Sequence, residues 1–409
     1  MPTLGVVCWA EIKRRSMETE KPVLMLCPKP LYPLRDGGCV AMYAIWHGLN
    51  LYNREVDILT VFSYKHPLDL TDLPAGMQIS GVELDLRPRL FKALKNLFSR
   101  RSYILERFQS TEMAAHLREK LQQTDYAWIQ IESLFMAPYI PLIRQYTQAK
   151  IVVRPANVES EIWMRLARKA FGLKKWYYKL LAKRLEREEI MWLNRADLVL
   201  PLTDRDTATF RRLGVQVPMH TLSVGMADTL APVEVEPEYP SIFYIGALNW
   251  LPNLEGIDWF LKKVWPHIHR RCPDLTFYLA GRYMPSRLRN LRMEKVVVMG
   301  EVEDAKLFMA SKGVMVVPVL SGSGIRIKIM EGMVAGRPVV TTTMGAEGLD
   351  YRPGQDLWIA DTEEAFAEAV EYAVTHRDEA EEVGENGRRL MLRHHNIEKI
   401  TAQLIDYCR

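Results

Sequence analysis

The chain has 409 residues, of which 48% are hydrophobic and 25% charged, a composition typical of a globular protein with two domains. No apolar run reaches the roughly 20 residues of a membrane span, and the five cysteines are odd in number, widely spaced and without a Cys-x-x-Cys pair. These features exclude a transmembrane segment, a disulfide framework and a cysteine zinc site, and they favour a reduced cytoplasmic location.

The net charge of +4 conceals an asymmetry between the two halves. Residues 1–230 contain 33 Lys plus Arg against 24 Asp plus Glu, whereas the remainder contains 21 against 26. The first part is therefore basic, at +9, and the second acidic, at −5. An anionic partner fits this distribution, and nucleic acid, an acidic lipid surface and a phosphorylated substrate are all compatible with it.

The first domain is predicted to span residues 21–230, after a disordered extension at 1–20. A Gly37–Gly38 loop and a helical pattern at 39–52 follow its first strand. Short hydrophobic runs typical of buried strands occur at 21–28, 56–62, 126–131, 150–156 and 196–203. Strands that alternate with helices in this way predict a parallel, doubly wound sheet.

Two basic segments of the first domain, 86–101 and 171–188, carry leucines and aromatic residues at helical spacing among many lysines and arginines. We expect their apolar faces to pack against the sheet. The alternative is contact with an anionic membrane surface, for which such helices are suited. Nucleic acid is disfavoured, because no recognised binding motif accompanies the charge.

A linker is predicted at 231–240, where prolines and glutamates show little periodicity. The second domain, 241–395, then repeats the strand and helix alternation, and a terminal helix closes the chain at 396–409. Its predicted strands are 241–248, 275–281, 295–300, 313–320 and 337–343. The expected fold class is α/β, with two Rossmann-like doubly wound parallel sheets facing across a cleft and ligand loops at the carboxyl ends of the strands.

The loop before the helix predicted to start near Ile325 has the pattern of an anion site. Gly322, Ser323 and Gly324 allow close approach of the backbone, and a helix that starts near Ile325 directs its amide groups and positive dipole end at the same place. An ordinary loop, helix and strand unit would share this pattern, so the surrounding sequence has to decide.

Three charged residues follow in the same window. Arg326 and Lys328 place two cations near the helix start, and Glu331 lies one turn beyond, where a carboxylate can accept hydroxyl hydrogen bonds. A diphosphate attached to a ribose would satisfy this arrangement.

A metal motif is suggested by Asp204 and Asp206, which flank Arg205. Because they directly follow a predicted strand and precede a helix, we expect one of the two to cap that helix. The sequence has no cluster of His, Cys and carboxylates at ligand spacing. We therefore predict no metal and no cofactor other than a nucleotide-sugar substrate.

Four segments in order resemble a known family: 244–260, 280–283, 300–318 and the window that begins at Gly322. They are similar to the retaining glycosyltransferases of family 4, which have the GT-B fold and build bacterial polysaccharides. The resemblance covers residues 21–409 and is stronger in the second half. It implies transfer of a sugar from a nucleotide-diphosphate donor to a glycan or lipid-linked acceptor, in the cytoplasm or peripherally on the inner face of the membrane.

On the donor side, the resemblance assigns the nucleotide base to backbone groups around Val302. Glu331 matches the last glutamate of the Glu-x7-Glu motif, which binds ribose hydroxyls, whereas Ser323 replaces the first. Relatives carry an arginine and a lysine after the first strand of this domain; here they are absent, so Arg326 and Lys328 become the candidates for stabilising the departing diphosphate. The predicted donor-binding residues are Gly246, Asn249, Gly300, Val302, Gly322, Ser323, Gly324, Ile325 and Glu331.

On the acceptor side, Gly37 and Gly38 resemble the family's glycine loop, although a tight turn would also use them. Residues 154–159 resemble an Arg-x-His-Asn-Val-Glu segment, with Ala156 where histidine is expected. A group that replaces this histidine would come from Arg154, Asn157 or Glu159.

Other functions remain open at this point. The sequence shows no carboxylate pair of the kind retaining hydrolases use, so a front-face transfer is favoured. Ser323 and Ala156 also fit a non-catalytic nucleotide- or glycan-binding GT-B relative, and a GT-B sugar-nucleotide epimerase or an inverting transferase is a further alternative. A dinucleotide oxidoreductase is disfavoured, because no Gly-x-Gly-x-x-Gly follows the first strand of either domain.

Overall fold

Two six-stranded sheets organise the protein, and every strand pair within them is parallel. The computed structural model describes residues 21–89, 91, 95–226, 235–322 and 324–409. The predicted extension 1–20, residues 231–234 of the predicted linker and Ser323 lie outside these residues. The expected fold class is confirmed: two doubly wound sheets with flanking helices face each other across a cleft.

The first sheet has the strand order β3-β2-β1-β4-β5-β6. Its order reverses between β1 and β4, which makes the carboxyl ends of these two strands a topological switch point. The strands are β1 Val23–Cys27, β2 Val56–Phe62, β3 Gln78–Glu83, β4 Trp128–Ile131, β5 Lys150–Val153 and β6 Leu198–Val199. The helices of this part are α1 Gly37–Leu51, α2 Tyr103–Glu106, α3 Thr111–Gln123, α4 Ile140–Tyr146, α5 Glu159–Lys169, α6 Gly172–Leu193 and α7 Asp204–Leu213.

The second sheet repeats this topology with the order β12-β11-β10-β7-β8-β9, and its switch point lies between β7 and β10. The strands are β7 Glu238–Ile245, β8 Thr276–Ala280, β9 Val296–Gly300, β10 Lys312–Val317, β11 Val339–Thr341 and β12 Trp358–Ile359. The helices are α8 Leu251–Trp259, α9 Trp265–Arg271, α10 Ser286–Arg289, α11 Ala305–Ala310, α12 Ile327–Val334, α13 Glu363–Thr375, α14 Arg377–His394 and α15 Ile397–Cys408.

The central strands are buried on both faces, as the continuous apolar runs predict. All five residues of β1 are buried, and so are five of the six residues of β10. Parallel sheets covered by helices on both sides favour such runs over an alternating pattern.

The last helix, α15, packs on the first domain. Ile400 and Leu404 share a core cluster with Trp46 of α1. A Cβ at Gly48 of α1 would overlap the Thr401 hydroxyl, so the two helices touch at a position that only glycine fits. The predicted terminal helix thus returns to the domain in which the chain begins.

The basic helix α6 is only partly packed. Leu181 and Leu185 lie in the core of the first domain, as expected from the packing interpretation. The start of the helix differs: Phe171 and Leu173 are each 87% exposed and Trp176 is 57% exposed. Among the described helices, none is long and apolar enough to cross a membrane.

Candidate donor and acceptor site

A cleft of about 1200 Å³ lies between the two sheets and joins their switch points. Loops from both domains line it. The predicted residues on its wall are Gly37, Gly38, Arg154, Asn157, Glu159, Gly246, Asn249, Val302, Gly322, Ile325, Arg326, Lys328 and Glu331. The cleft lining does not include Gly300 or Gly324, and Ser323 is outside the described residues.

Lys328 is held at the switch point of the second sheet by neutral groups. Its Nζ donates to the Tyr244 hydroxyl at 2.7 Å and to Asn253 Oδ1 at 3.0 Å, and lies 4.5 Å from the centre of the Tyr244 ring. Within the described part of the chain, no carboxylate lies within 4 Å of this ammonium group. Burial, and to a lesser degree Arg326, lower the pKa of Lys328 to about 7.

Glu331 lies one helical turn beyond Lys328 on α12 and also lines the cleft. Burial raises its pKa to about 7, against the opposing effects of Lys328 and Lys306. A cation and a carboxylate that are both destabilised by burial therefore face the same cavity. A ligand that supplies an anion to Lys328 and hydrogen-bond donors to Glu331 would offset this cost of burial.

Arg326 occupies the N-cap position of α12, so the helix begins at Ile327 and not near Ile325. Its guanidinium donates to the carbonyl of Gly324, within its own loop. Burial lowers the pKa of Arg326 to about 10, while the Glu347 carboxylate opposes this shift. The arginine therefore lines the cleft but also shapes the loop in front of it.

The two domains touch where α1 and α12 begin. A Cβ added to Gly37 would lie 3.1 Å from Cγ1 of Ile327, tighter than ordinary van der Waals contact. At Gly324, where φ is +77°, an added Cβ would lie 2.5 Å from Oδ1 of Asn157. These contacts bring the acceptor-side and donor-side loops, which were predicted separately, to one place.

Two of the first-domain cations on the cleft, Lys29 and Arg154, are already paired with carboxylates. Lys29 lies 2.5 Å from Asp36, the residue that caps α1 by accepting from the Cys39 amide. Arg154 is 2% exposed and donates to Glu132 at 2.8 Å. Lys29 and Glu132 line the cleft, and sequence reasoning missed both, as it missed Tyr244 as the hydroxyl partner of Lys328.

Glu159 begins α5 beside a second buried acid. The Glu189 carboxylate accepts hydrogen bonds from the Glu159 amide at 2.9 Å and from the Ser160 hydroxyl at 2.6 Å. Burial raises the pKa of Glu159 to about 7 and that of Glu189 to about 8. Glu189 of α6 thus caps the start of α5. The Glu159 carboxylate itself accepts a hydrogen bond from the Asn157 side chain at 3.3 Å.

The candidate base loop follows β9. Val302 lines the cleft, whereas the carbonyl of Gly300 accepts from the Gly281 amide at 2.7 Å. Gly300 therefore supports the loop through its backbone, with φ at +71°.

The cap expected from Asp204 or Asp206 is supplied by a different residue. Thr203 is the N-cap of α7 and accepts from the Asp206 amide. Asp204 accepts from the Thr221 hydroxyl, and Asp206 pairs with Arg205. The helix cap prediction was therefore wrong in its residue, because threonine one position earlier has the extended backbone that a cap requires. In the described residues, no three His, Cys, Asp or Glu side chains are grouped to hold a metal ion.

The chain is similar to known proteins in both sequence and structure. Residues 239–376 match the family described as glycosyl transferases group 1. A curated relative, the uncharacterized 44.6 kDa protein in the cps region of Klebsiella pneumoniae, is 22% identical over 204 residues, 48% of this chain and 51% of that protein. The match thus spans about half the length of that relative.

Solved structures cover nearly the whole chain. The sucrose-phosphate synthase of Thermosynechococcus elongatus superimposes with a TM-score of 0.69 and 17% identity, over 95% of this chain and 98% of that one. HepE of Anabaena, in complex with UDP, gives a TM-score of 0.65 and 13% identity over 94% and 99%. Residues 239–376 therefore match the group 1 glycosyltransferases in sequence, and the architecture matches these solved structures over about 95% of the chain, which confirms the expected GT-B fold. Retention and membership of family 4 stay predictions.

Proposed function

We propose that this protein transfers a sugar from a nucleotide-diphosphate donor to a glycan or lipid-linked acceptor, with retention of configuration and without a bound metal. The observation that carries this proposal is the environment of Lys328, a cation that faces the cleft, is hydrogen-bonded to neutral groups and has no carboxylate within 4 Å among the described residues. A diphosphate would supply its counter-ion, and Glu331 would accept the ribose hydroxyls.

The chemistry proposed is a front-face displacement. The bond between the anomeric carbon and the β-phosphate oxygen breaks, the acceptor oxygen bonds to the anomeric carbon on the same face, and the acceptor proton passes to the departing phosphate. Lys328, Arg326 and the first amides of α12 stabilise the charge that develops on the diphosphate. The three acids on the first-domain wall are engaged, Asp36 with Lys29, Glu132 with Arg154 and Glu159 with Asn157, which argues against a glycosyl-enzyme route.

The donor and the pathway follow by analogy. HepE was solved with UDP-glucose and the pneumococcal O-GlcNAc transferase GtfA, which has a similar structure, with UDP and GlcNAc, so uridine diphosphate sugars are the first donors to test. The relative from a cps region supports a role in polysaccharide synthesis.

The test is turnover of UDP-glucose, UDP-galactose and UDP-GlcNAc, with and without EDTA, followed by NMR of the product's anomeric configuration. The proposal predicts release of UDP that EDTA does not abolish, and a retained product. Tight UDP binding without turnover under any condition would instead favour the non-catalytic relative, and an inverted product would exclude retention.

We also propose a peripheral position on an anionic membrane from the cytoplasmic side. The exposed start of α6, with Phe171, Leu173 and Trp176, carries Lys174 and Lys175 between its apolar residues. Phe98 is also 95% exposed, in a segment that Arg184 of α6 binds through the carbonyls of Asn96 and Leu97 at 2.7 and 2.8 Å. Exposed aromatic rings among lysines suit the interface of an acidic bilayer.

Liposome flotation tests this surface. The wild type is expected to float with vesicles of acidic phospholipid at low salt and to remain behind with neutral vesicles. Trp176→Ala with Phe171→Ala should abolish flotation while UDP-sugar hydrolysis in solution is kept. Equal flotation of this double variant would contradict the proposal.

A further inference from the structure

A tight turn at the mouth of the cleft is not used by the donor chemistry. It follows β2 and comprises Ser63–His66, closed by two backbone hydrogen bonds of 3.0 Å between its first and last residues. Tyr64, Lys65 and His66 of this turn all line the cleft on the side of the first domain. A two-residue tip held by paired hydrogen bonds presents its side chains in a fixed direction.

The turn lies in a local excess of positive charge. The charged groups that act on His66 in this turn are Lys29, Arg35, Lys65 and Asp36, which sum to +2, and all four line the cleft. Asp36 is bound to Lys29, and within the described residues neither Arg35 nor Lys65 has a carboxylate within 4 Å. The cations at the tip are therefore available to a ligand.

His66 is affected by the same positive charges. Its Nδ1 is buried, and the described part of the chain offers it no hydrogen-bond partner. Burial lowers the pKa of His66, and Lys29, Arg35 and Lys65 lower it further, with Asp36 alone opposing them. A neutral imidazole with an unused ring nitrogen can bind an oxygen of a ligand.

The opposite wall does not neutralise this charge. Glu301 lies 2.9 Å from Arg282, whose guanidinium also donates to the carbonyl of Arg35 at 3.3 Å across the cleft. Glu303 also lines that wall, where it is exposed and has no cation within 4 Å among the described residues. The acids of the second domain thus lie across the opening, while the cations surround the turn.

Tyr64 adds an apolar surface to the same tip. Its residue is 55% exposed, and the Arg87 guanidinium lies 4.6 Å from the ring centre. An exposed ring of this kind can cover the apolar face of a sugar. The turn therefore combines a platform for a sugar ring with cations for an acidic substituent.

We propose that the Ser63–His66 turn and Arg35 form an anion subsite for the acceptor, so that the acceptor is a saccharide bearing a carboxylate or a phosphate group. This inference rests on the proposed transferase function, because it places the acceptor opposite the donor diphosphate. The first-domain wall would then prefer a negatively charged acceptor, and this preference is separate from the binding of the donor diphosphate by Lys328.

The experiment compares glucose, glucuronic acid and glucose 6-phosphate as probes by saturation-transfer NMR at low salt, in the presence of saturating UDP. UDP occupies the proposed donor site, so any phosphate bound there is displaced. We expect at least one anionic probe to bind about tenfold more tightly than glucose. The arm that binds identifies carboxylate or phosphate as the substituent.

Two variants test whether the anionic probes bind at the proposed subsite. Arg35→Ala with Lys65→Ala should remove the preference over glucose, while Lys262→Ala, an exposed lysine outside the cleft lining, should keep it. Equal binding of all three probes, displacement of the anionic probes by UDP, or full binding by the double variant would overturn the proposal. UDP affinity is measured separately, so a protein that fails to bind UDP refutes the proposed donor site and not this subsite.

Discussion

The two switch points of this protein have the same topology, but their cations have different hydrogen-bonding partners. In the first domain Lys29 lies 2.5 Å from Asp36, and Arg154 lies 2.8 Å from Glu132. In the second domain Lys328 bonds to the neutral oxygens of Tyr244 and Asn253. A paired cation is already satisfied when the cleft is empty, whereas an unpaired one gains its partner from the ligand. Under the proposed function, this difference between Lys29 and Lys328 favours the second domain as the side that binds the diphosphate.

The largest expected effect comes from the same substitution at the two switch points. Lys328→Met should lower kcat/KM for the donor about 100-fold, because the leaving diphosphate loses its buried cation. Lys29→Met should lower it only about threefold, because Asp36 already offsets that charge and still caps α1. Steady-state kinetics with a UDP-sugar measure both. Equal losses would show that the pairing does not distinguish the two sites.

Glu331→Gln should weaken donor use about tenfold, since a neutral amide replaces the charge-assisted hydrogen bonds to the ribose hydroxyls. The control is 2′,3′-dideoxy-UDP, which lacks these hydroxyls. The wild type should lose about tenfold in affinity on changing from UDP to this analogue. The variant should bind UDP and the analogue with nearly equal affinity. If both proteins lose the same factor, Glu331 does not bind the ribose.

A smaller effect is expected at the glycines that face the two lysines. A Cβ at Gly246 would overlap the Lys328 ammonium, so Gly246→Ala should displace it and lower kcat/KM about fivefold. At Gly38 the Cβ would lie 2.9 Å from Nζ of Lys29, the end of a flexible and already paired side chain. Gly38→Ala is therefore expected to cost about twofold. A reversed order of the two variants would contradict the assignment of the diphosphate to the second domain.

The fold was predictable because the strands are continuous apolar runs separated by helical patterns, as in VLMLC of β1. The donor window was predictable because its loop, cations and carboxylate lie within ten residues of one another along the chain. The partners of Lys328 were not, because Asn253 is 75 residues and Tyr244 84 residues away and neither carries a motif of its own. The turn of the proposed anion subsite was not singled out from the sequence for a similar reason: a two-residue turn has no periodicity, and the charges around it include Lys29 and Arg35 from another loop.

The start of α6 shows a limit of another kind. Its leucines and aromatic residues share one helical pattern, which predicts a single packed face, but the helix extends beyond the sheet that it covers. Leu181 and Leu185 are buried, whereas Leu173, two turns earlier, is almost fully exposed. Periodicity predicts which residues share a face and not how far the neighbouring surface extends.

The most direct test of the central claim is the proton balance of donor binding. With a pKa of about 7, Lys328 is mostly neutral at pH 8 in the empty site, and a bound diphosphate favours its charged form. Titration calorimetry of UDP-glucose at pH 8, in buffers of different ionisation enthalpy, should show uptake of about one proton. Affinity should fall as the pH rises above about 7, and Glu331→Gln should retain the uptake while Lys328→Met abolishes it. No uptake by the wild type, or equal uptake by Lys328→Met, would contradict the claim that the donor diphosphate is the counter-ion of Lys328.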